Sequence, residues 1–207
     1  MSLHDWLDEI HLIGAGGIGT HALLTLIEQE ARVVHLWDDD TVEGHNLPTQ
    51  FMYRPVDIGT SKVEAAKSFV ERQGYQTVII PHATRVTPST RMGGIVISGV
   101  DSMTSRADIW ETVRLDPRIR LYVDARIGAD TLQVHALDPI REESGNDYAS
   151  WIVLDEEVPD LGCITRQNPH SALGVAQVLS AHLTLFTEEG ELPIAFLERS
   201  LLAESGA

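Results

Sequence analysis

A glycine-rich turn near the start of the chain limits its possible folds more than any other feature. The turn reads GAGGIG over residues 14–19, directly after the apolar run Ile10–Ile13. A helical pattern of leucines follows it and ends near Glu30, and a second apolar run, Arg32–Leu36, comes next. A strand, a glycine turn, a helix and a second strand are the parts of one βαβ unit. The pattern therefore predicts two parallel strands joined by a helix.

The same glycines favour nucleotide binding, although a purely structural turn is the alternative. In turns of this kind one glycine permits the tight bend, one lets backbone N–H groups approach a phosphate, and one allows the helix to pack closely on the strand. The N-terminus of the helix adds a partial positive charge that faces the anion. An acid at the end of the next strand, Asp38, strengthens the nucleotide interpretation.

Strand and helix patterns alternate along most of the remaining chain. Helices are predicted over residues 62–74, where Thr60 or Ser61 can cap the first turn, and over residues 105–115. Further strands are predicted over residues 77–80, 95–97 and 121–123. Such alternation predicts an α/β, Rossmann-like fold, in which a mostly parallel sheet is flanked by helices on both faces.

The pattern changes after Asp124 and predicts antiparallel strands toward the C-terminus. Residues 132–137 alternate like a half-exposed strand, residues 192–197 form a late strand, and residues 151–154 could form another. A strongly apolar helix is predicted over residues 172–186, whereas the polar segment 141–150 is expected to be a mobile loop. A length of 207 residues favours a single domain.

Charge and composition exclude several classes of protein. The formal net charge of −16 opposes binding to nucleic acid, because phosphate contacts need a basic surface. We expect no membrane span, since no apolar run reaches about 18 residues. The acidic N-terminus lacks a signal-peptide pattern, so we expect a cytoplasmic protein. A lone cysteine, Cys163, excludes an internal disulfide and a CxxC zinc site.

The loop after the second strand concentrates polar residues that a connector does not need. It begins with three acids, Asp38 to Asp40, and continues through Asn46 and Gln50 to Lys62. The acids could instead form a solvated turn, and Asn46 could simply cap one. Lys62 lies in a first helical turn, where a cation opposes the helix dipole, and this unfavourable position favours a functional role.

Taken together, the motifs GAGGIG, DDDTVEGHNLPTQ, DIGTSK and SGVDSMTSR resemble the ThiF/MoeB family, relatives of ubiquitin-activating enzymes, over about residues 8–130. Members of that family use ATP and magnesium to adenylate the C-terminal carboxylate of a small ubiquitin-like or sulfur-carrier protein. The resemblance implies one ThiF-type domain over residues 1–207. Its ATP-binding βαβ core would span residues 1–125, and residues 126–207 would supply C-terminal strands and a helix that could bind the carrier.

The resemblance also implies a role for each candidate residue. Asp38, with Asp40, would meet the ribose, Lys62 would hold the phosphates in the transition state, and Asp101 would carry magnesium. Asp101 could alternatively cap the next helix, and Arg106 could pair with it or point outward. The nucleotide would be cradled by Gly14, Gly16, Gly17 and Gly19, and its phosphates lined by Asn46 and Gln50.

The chain departs from the family in its arginines and cysteines. Thr49 stands where the family usually has a phosphate-contacting arginine, and no basic residue precedes the first strand. Arg54 could compensate, as could an arginine from a second subunit, and we therefore predict a homodimer. Cys163 precedes a predicted helix start and lies near Arg166, so it could be a nucleophile that accepts the activated carboxylate. A small buried residue is the alternative for Cys163.

Two other functions stay open on the sequence alone. Thr49 and the short N-terminal segment are compatible with a nucleotide-binding scaffold or regulatory partner that performs no chemistry. An NAD-dependent oxidoreductase would explain the glycines and Asp38 but would leave Lys62 and Asp101 without a role.

Overall fold

The computed structural model describes residues 8–128, 131–152, 169–189 and 196–200. The strands are β1 (Ile10–Ile13), β2 (Val33–Trp37), β3 (Val78–His82), β4 (Gly94–Ser98), β5 (Ile119–Ile127), β6 (Thr131–Leu137) and β7 (Phe196–Ser200). The α-helices are α1 (Gly17–Glu28), α2 (Lys62–Gln73), α3 (Met103–Val113), α4 (Glu142–Ala149) and α5 (Pro169–Thr184). Short 3-10 turns cover Gly44–Asn46 and Pro55–Asp57, and a π-helical turn, Leu185–Glu189, continues α5.

All seven strands form one sheet in the order β3-β2-β1-β4-β5-β6-β7. Strands β1 to β5 are parallel to one another, whereas β6 pairs antiparallel with both β5 and β7. Connections reverse direction along the sheet at β1, between β2 and β4, and ligands of open α/β sheets bind at such switch points. The predicted α/β, Rossmann-like architecture is confirmed.

Helices cover both faces of the sheet, which explains why the central strands are mostly apolar. Every residue of β1 is buried, as expected for a parallel strand between two helical layers. One core cluster joins β-strand side chains to α1, α2 and α5, with α1 packed directly on α5. A second cluster, on the opposite face, joins Val96 to Ile109 and Trp110 of α3 and to Tyr148 of α4.

Element boundaries follow the sequence patterns closely, with differences at strand β5, which covers Ile119–Ile127 and not only residues 121–123, and at helices α3 and α4. Helix α3 begins at Met103 because the Ser102 hydroxyl caps it, accepting the Ser105 N–H at 3.1 Å. The expectation that Asp101 could cap this helix is therefore wrong. The expected mobile loop 141–150 is largely helix α4, whose first turn carries two acids that suit the helix dipole. Tyr148 anchors this helix by packing against Trp110 and Tyr122.

The last predicted strands fall partly outside the described residues. Trp151 and Ile152 form no strand, and residues 153 and 154 are not among those described. The late strand is β7, which begins at Phe196, and residues 192–195 also lie outside. Within the described part of the chain, no helix has both the length and the apolar character needed to cross a membrane.

Candidate functional site

A cavity of about 770 Å³ opens at the carboxyl ends of the parallel strands, beside the glycine turn. This is the position at which open α/β sheets bind their ligands. Nine of the residues selected from the sequence line it together: Gly14, Gly16, Gly17, Asp38, Asp40, Asn46, Gln50, Lys62 and Asp101.

The glycine turn combines a packing position with an open cradle. A Cβ atom on Gly19 would lie 1.9 Å from the carbonyl oxygen of Gly14, so Gly19 allows α1 to cross β1 closely and does not line the cavity. Gly14 itself adopts a φ of +99°, which favours glycine. A Cβ on Gly16 would meet nothing nearer than Gln50 Nε2 at 4.0 Å. Gly16 therefore leaves room in front of the N–H groups at the start of α1, where an anion can bind.

Asp38 is held in place by the turn that it faces. Its Oδ2 atom accepts the Ala15 N–H at 2.7 Å, and its Oδ1 atom accepts the Asp40 N–H at 2.9 Å. Burial raises the pKa of the Asp38 carboxyl, while the hydrogen bond from Ala15 and the charge of Lys62 oppose this rise. The Tyr53 hydroxyl braces the turn from the other side by donating to the Ala15 carbonyl at 2.6 Å. The carboxylate is thus fixed at the end of β2, facing the cavity.

Lys62 reaches the same cavity from the first turn of α2. Its Nζ atom donates to Asp40 Oδ2 at 2.7 Å, and its side chain is only 9% exposed, whereas that of Asp40 is 61% exposed. The backbone N–H of Lys62 also donates to the Asp40 carbonyl at 3.0 Å, which ties the start of α2 to the acidic loop. A buried ammonium group therefore lies at the cavity wall, paired with an acid that solvent can reach.

The two amide side chains of the loop differ in how they are used. Asn46 Oδ1 accepts the Glu43 N–H at 2.8 Å, so Asn46 does cap a turn, as the structural alternative predicts, while also lining the cavity. Gln50 is buried, and its Oε1 atom has no hydrogen-bond partner among the described residues. Gln50 therefore has hydrogen-bonding capacity to offer a ligand beside Gly16.

Asp101 and an arginine that sequence reasoning missed lie on the exposed rim. Arg85 donates from Nε to Asp39 Oδ2 at 2.8 Å. This hydrogen bond and the charge of Asp39 raise the pKa of Arg85, with smaller contributions from Asp40 and Asp101. The signal that could have found Arg85 is its place just after β3, because the carboxyl end of β3 lies beside that of β2.

Two predicted residues are not brought to the cavity. Arg54 pairs with Asp57, with Nε 3.4 Å from Oδ2, and does not line the cavity, so its position does not support a phosphate contact. Cys163 lies outside the described residues.

A buried ion cluster, Arg106–Asp124–Arg126, forms the opposite wall of the cavity. Asp124 is fully buried on β5 and accepts from Arg106 Nε at 3.1 Å and from Arg126 Nε at 2.7 Å. Arg106 therefore pairs with Asp124 and not with Asp101, which corrects the sequence-based expectation. Arg126 was missed because the predicted strand ends at residue 123, whereas β5 continues to Ile127.

A second group of potential ligands, Glu9, His11 and His35, does not suit a metal ion despite its short spacing. The Trp37 indole N–H can only donate, and it lies 3.2 Å from His11 Nδ1. The His11 proton must then sit on Nε2, which lies 3.3 Å from Glu9 Oε1. That nitrogen has no lone pair left for a metal.

Comparison with known proteins gives consistent matches. The model of the ThiF family matches residues 8–115. The chain is 34% identical to the NEDD8-activating enzyme E1 catalytic subunit of Caenorhabditis elegans over 102 residues, which are 47% of this chain and 24% of that protein. It is 31% identical to the adenylyltransferase and sulfurtransferase uba4 of Aspergillus fumigatus over 109 residues, which are 50% of this chain and 22% of that protein. The matches span about a quarter of the length of these curated relatives.

Solved structures share the fold over nearly the whole chain. A crystal structure of PaaA superposes with a TM-score of 0.77 at 20% identity, covering 97% of this chain and 64% of PaaA. The crystal structure of E. coli MccB with ATP gives a TM-score of 0.72 at 16% identity, covering 96% of this chain and 66% of MccB. At these identities the likeness concerns the fold.

Proposed function

This chain belongs to the ThiF family, and we propose that it uses ATP to adenylate the C-terminal carboxylate of a small ubiquitin-like or sulfur-carrier protein or peptide. The curated relatives are named as activating enzymes and adenylyltransferases, and a structure of similar fold was solved with ATP. A homodimer and a cytoplasmic location remain predictions from the sequence.

The reaction joins two anions. A carboxylate oxygen attacks the α-phosphorus of ATP, a new P–O bond forms, and the bond to the leaving pyrophosphate breaks. Because both reactants are negatively charged, the protein contributes mainly by positioning them and by neutralising charge. The site must therefore offer an anion cradle, a ribose anchor and mobile cations.

The described residues supply these three elements. Gly16 and the start of α1 form the cradle for phosphate, and Asp38 offers carboxylate oxygens to the ribose hydroxyls. Lys62 would exchange Asp40 for a phosphate oxygen, which keeps its buried charge paired throughout. The observation that carries the proposal is this buried Lys62, which lies in the glycine-turn cavity although its position opposes the helix dipole.

The donor set at the rim fits magnesium. Asp101 is exposed at the cavity, and the three acids Asp38, Asp39 and Asp40 hold carboxylate oxygens within 4.8 Å of one another. Oxygen ligands of this kind suit Mg²⁺. When bound, the ion would spread the negative charge of the phosphates.

Thr49 stands where the family usually has a phosphate-contacting arginine. Among the described residues, Arg85 is the best placed to make that contact instead. It lies at the rim beside Asp39, and its side chain is 71% exposed, so it can turn from the acid toward an entering triphosphate. In this proposal the second phosphate contact comes from the loop after β3.

The experiment is ATP–pyrophosphate exchange stimulated by a pool of peptides with free C-terminal carboxylates, measured for the wild-type protein and for Lys62→Ala. Exchange should fall by about 10²–10³ in the variant, because a charge that stabilises the transition state is removed. Lys67→Ala is the matched control, since Lys67 is the other lysine of the chain and lies on the same helix. Equal exchange in Lys62→Ala and Lys67→Ala would contradict the proposed role.

The two alternative functions receive no support from the comparisons. A scaffold without chemistry would be stabilised by ATP and form no adenylate. An oxidoreductase would be stabilised by NAD in preference to ATP with magnesium. Thermal melting with each ligand therefore separates the oxidoreductase from the other two functions, and an assay for adenylate formation separates the enzyme from the scaffold.

A further inference from the structure

The cavity carries opposite charge at its two ends. At the end formed by β2 and the start of α3, four acids, Asp38, Asp39, Asp40 and Asp101, outnumber the two cations Lys62 and Arg85. At the other end lie Arg126 of β5 and the guanidinium of Arg106, which reaches Asp124 of β5 from α3. His135 lies on the neighbouring strand β6, where burial and then the charge of Arg126 lower its pKa to about 4.

The charges of the Arg106–Asp124–Arg126 cluster do not cancel. One carboxylate, Asp124, faces two guanidinium groups, and all three side chains are at least nine-tenths buried. Tyr148 lies beside the cluster and stays neutral, because burial raises the pKa of its hydroxyl. An excess buried positive charge is costly unless an anion accompanies it. A negatively charged group bound beside the cluster would balance this excess charge.

Hydrogen bonding identifies the member of the cluster that has capacity to spare. Arg106 is fully engaged, since it donates to Asp124 and to the carbonyl oxygens of Val100, Ser102 and Ala125. Arg126 donates from Nε to Asp124 and from Nη1 to the Trp151 carbonyl at 3.0 Å. Its Nη2 atom is buried and makes no hydrogen bond of good geometry in the part of the chain that the structure describes, although the Tyr148 hydroxyl is close enough to interact with the guanidinium.

We propose that Arg126 binds the carboxylate that is to be adenylated, holding it at the β5 end of the cavity. This inference rests on the proposed function, because it names the group that presents the second reactant. Asp124 orients the guanidinium from behind, and the incoming carboxylate supplies the negative charge and the acceptor oxygen that the cluster lacks. The unpartnered Nη2 atom can donate a charge-assisted hydrogen bond to one oxygen of that carboxylate.

A carboxylate fits the β5 end better than the phosphates of the nucleotide do. The glycine turn, Asp38 and Lys62 lie over β1 and β2, whereas β5 is two strands from β1, a distance of about 10 Å at the usual strand spacing. The attacking oxygen must approach phosphorus roughly in line with the leaving pyrophosphate, from the opposite side. With Lys62 and Gln50 on the β2 side holding phosphates, the acceptor side is that of β4 and β5.

The test measures binding and exchange separately. The probe is a pool of random hexapeptides with free C-terminal carboxylates, and its partner is the same pool with amidated C-termini. Binding is measured in the presence of a non-hydrolysable ATP analogue and magnesium. We expect the wild-type protein to prefer the free acids, and Arg126→Gln to lose at least about tenfold of that preference while binding the analogue normally, as expected for a lost charge-assisted contact.

Arg120→Gln is the matched control, because it removes the same charge from an exposed position on the same strand. Unchanged preference in Arg126→Gln would overturn the inference, and so would weaker binding of the ATP analogue, which would assign the subsite to phosphate. Absence of exchange in the wild-type protein, together with a preference for free acids that depends on Arg126, would instead overturn the adenylation proposal and leave the carboxylate subsite standing.

A measurement on the wild-type protein keeps the inference testable even if Arg126→Gln does not fold. The imidazole pKa of His135, about 4 in the free protein, should rise when the acid pool binds, because a carboxylate offsets the charge of Arg126. The amidated pool should leave it unchanged. An equal response to both pools would overturn the inference.

Discussion

Gly16 and Gly19 belong to the same turn but differ in the space that a replacing side chain would find. The Gly14 carbonyl fills the place where a Gly19 side chain would begin, whereas the space in front of Gly16 is open. The geometry therefore assigns Gly19 to packing, and the proposed function assigns Gly16 to binding, although both belong to one motif.

We predict that Gly19→Ala will destabilise the fold severely, by about 3 kcal/mol or more, because a 1.9 Å contact with backbone cannot relax without moving α1 or β1. Gly16→Ala should fold with near-normal stability, because its φ of −83° suits alanine, and should bind ATP more weakly because a methyl group enters the cradle. Urea unfolding and nucleotide titration measure the two effects. A stable Gly19→Ala protein would contradict the packing role.

At the residue scale, the sequence analysis selected site residues whose amino-acid type is unusual for the position they occupy. Asp38 at a strand end and Lys62 in a first helical turn both lie where the patterns placed them, in one cavity. Arg85 and Arg126 were not predicted, because no local pattern singles them out. Each follows a predicted strand, and that position becomes informative only when the order of the strands is known. Their proximity to the site depends on the order of strands in the sheet, which is a long-range property.

Among the elements, β6, β7 and α4 are joined by a cluster of rings around a buried histidine. His135 lies 4.6 Å from Phe196, 5.3 Å from Tyr148 and 5.5 Å from Trp151, measured between ring centroids. Its Nε2 atom is buried without a partner among the described residues. The imidazole is thus kept neutral in the folded chain, where burial and Arg126 lower its pKa to about 4.

Stability should therefore fall as the pH falls through this window. The unfolded chain takes up a proton on His135 near pH 6.5 and the folded chain only near pH 4. The stability that the neutral imidazole contributes to the folded state is therefore fully present above about pH 6.5 and is lost as the pH falls toward about 4. His135→Phe should lose less stability than the wild-type protein between about pH 7 and about pH 4.5, by up to about 3 kcal/mol.

Urea unfolding at the two pH values measures this difference. His45→Asn is the control, since the side chain of His45 is 73% exposed, and it should keep the wild-type pH dependence. An acid-induced loss in His135→Phe as large as that of the wild-type protein would contradict the prediction.

The elements also mark the limit of local patterns. Strand β1 and the end of α2 at Gly74 were predicted to the residue, because periodicity and a glycine in the left-handed conformation define them locally. Helix α4 was not predicted, because its sequence is polar and contains Gly145. Its anchor is the contact of Tyr148 with rings from α3 and β5, which no window of sequence contains.

At the scale of the whole molecule, the net charge of −16 should make stability depend on salt. Like charges repel in the compact state, and ions screen that repulsion over roughly 8–10 Å at moderate ionic strength. We predict that the melting temperature rises by a few degrees between about 20 mM and about 300 mM NaCl. A triple variant that neutralises exposed acids, Glu28→Gln, Glu64→Gln and Glu71→Gln, should show a smaller rise. A melting temperature that falls with salt would contradict the prediction.

The overall architecture was predictable because the alternation of apolar runs and amphipathic helices repeats along the first 125 residues. The antiparallel addition of β6 and β7 was also signalled, by the change to two-residue periodicity after Asp124. The sequence did not predict that residues of α3 and β5 line the same cavity as the residues that follow β1 and β2. This proximity depends on the order of the strands in the folded sheet.

In the ligand-free site, the Lys62 ammonium group is paired with Asp40, and the same pair can form again after a ligand leaves. In the proposed reaction, an entering triphosphate would displace Asp40 before it could bind the Lys62 ammonium group, so ligands with few phosphate oxygens would gain little from the exchange. After pyrophosphate had left, Asp40 would be close enough to pair with Lys62 again. At the end of each turnover, Asp40 would take the place of the phosphate oxygen at Lys62. The nucleotide product would then be bound more weakly, and its release would free the cavity for another ATP molecule.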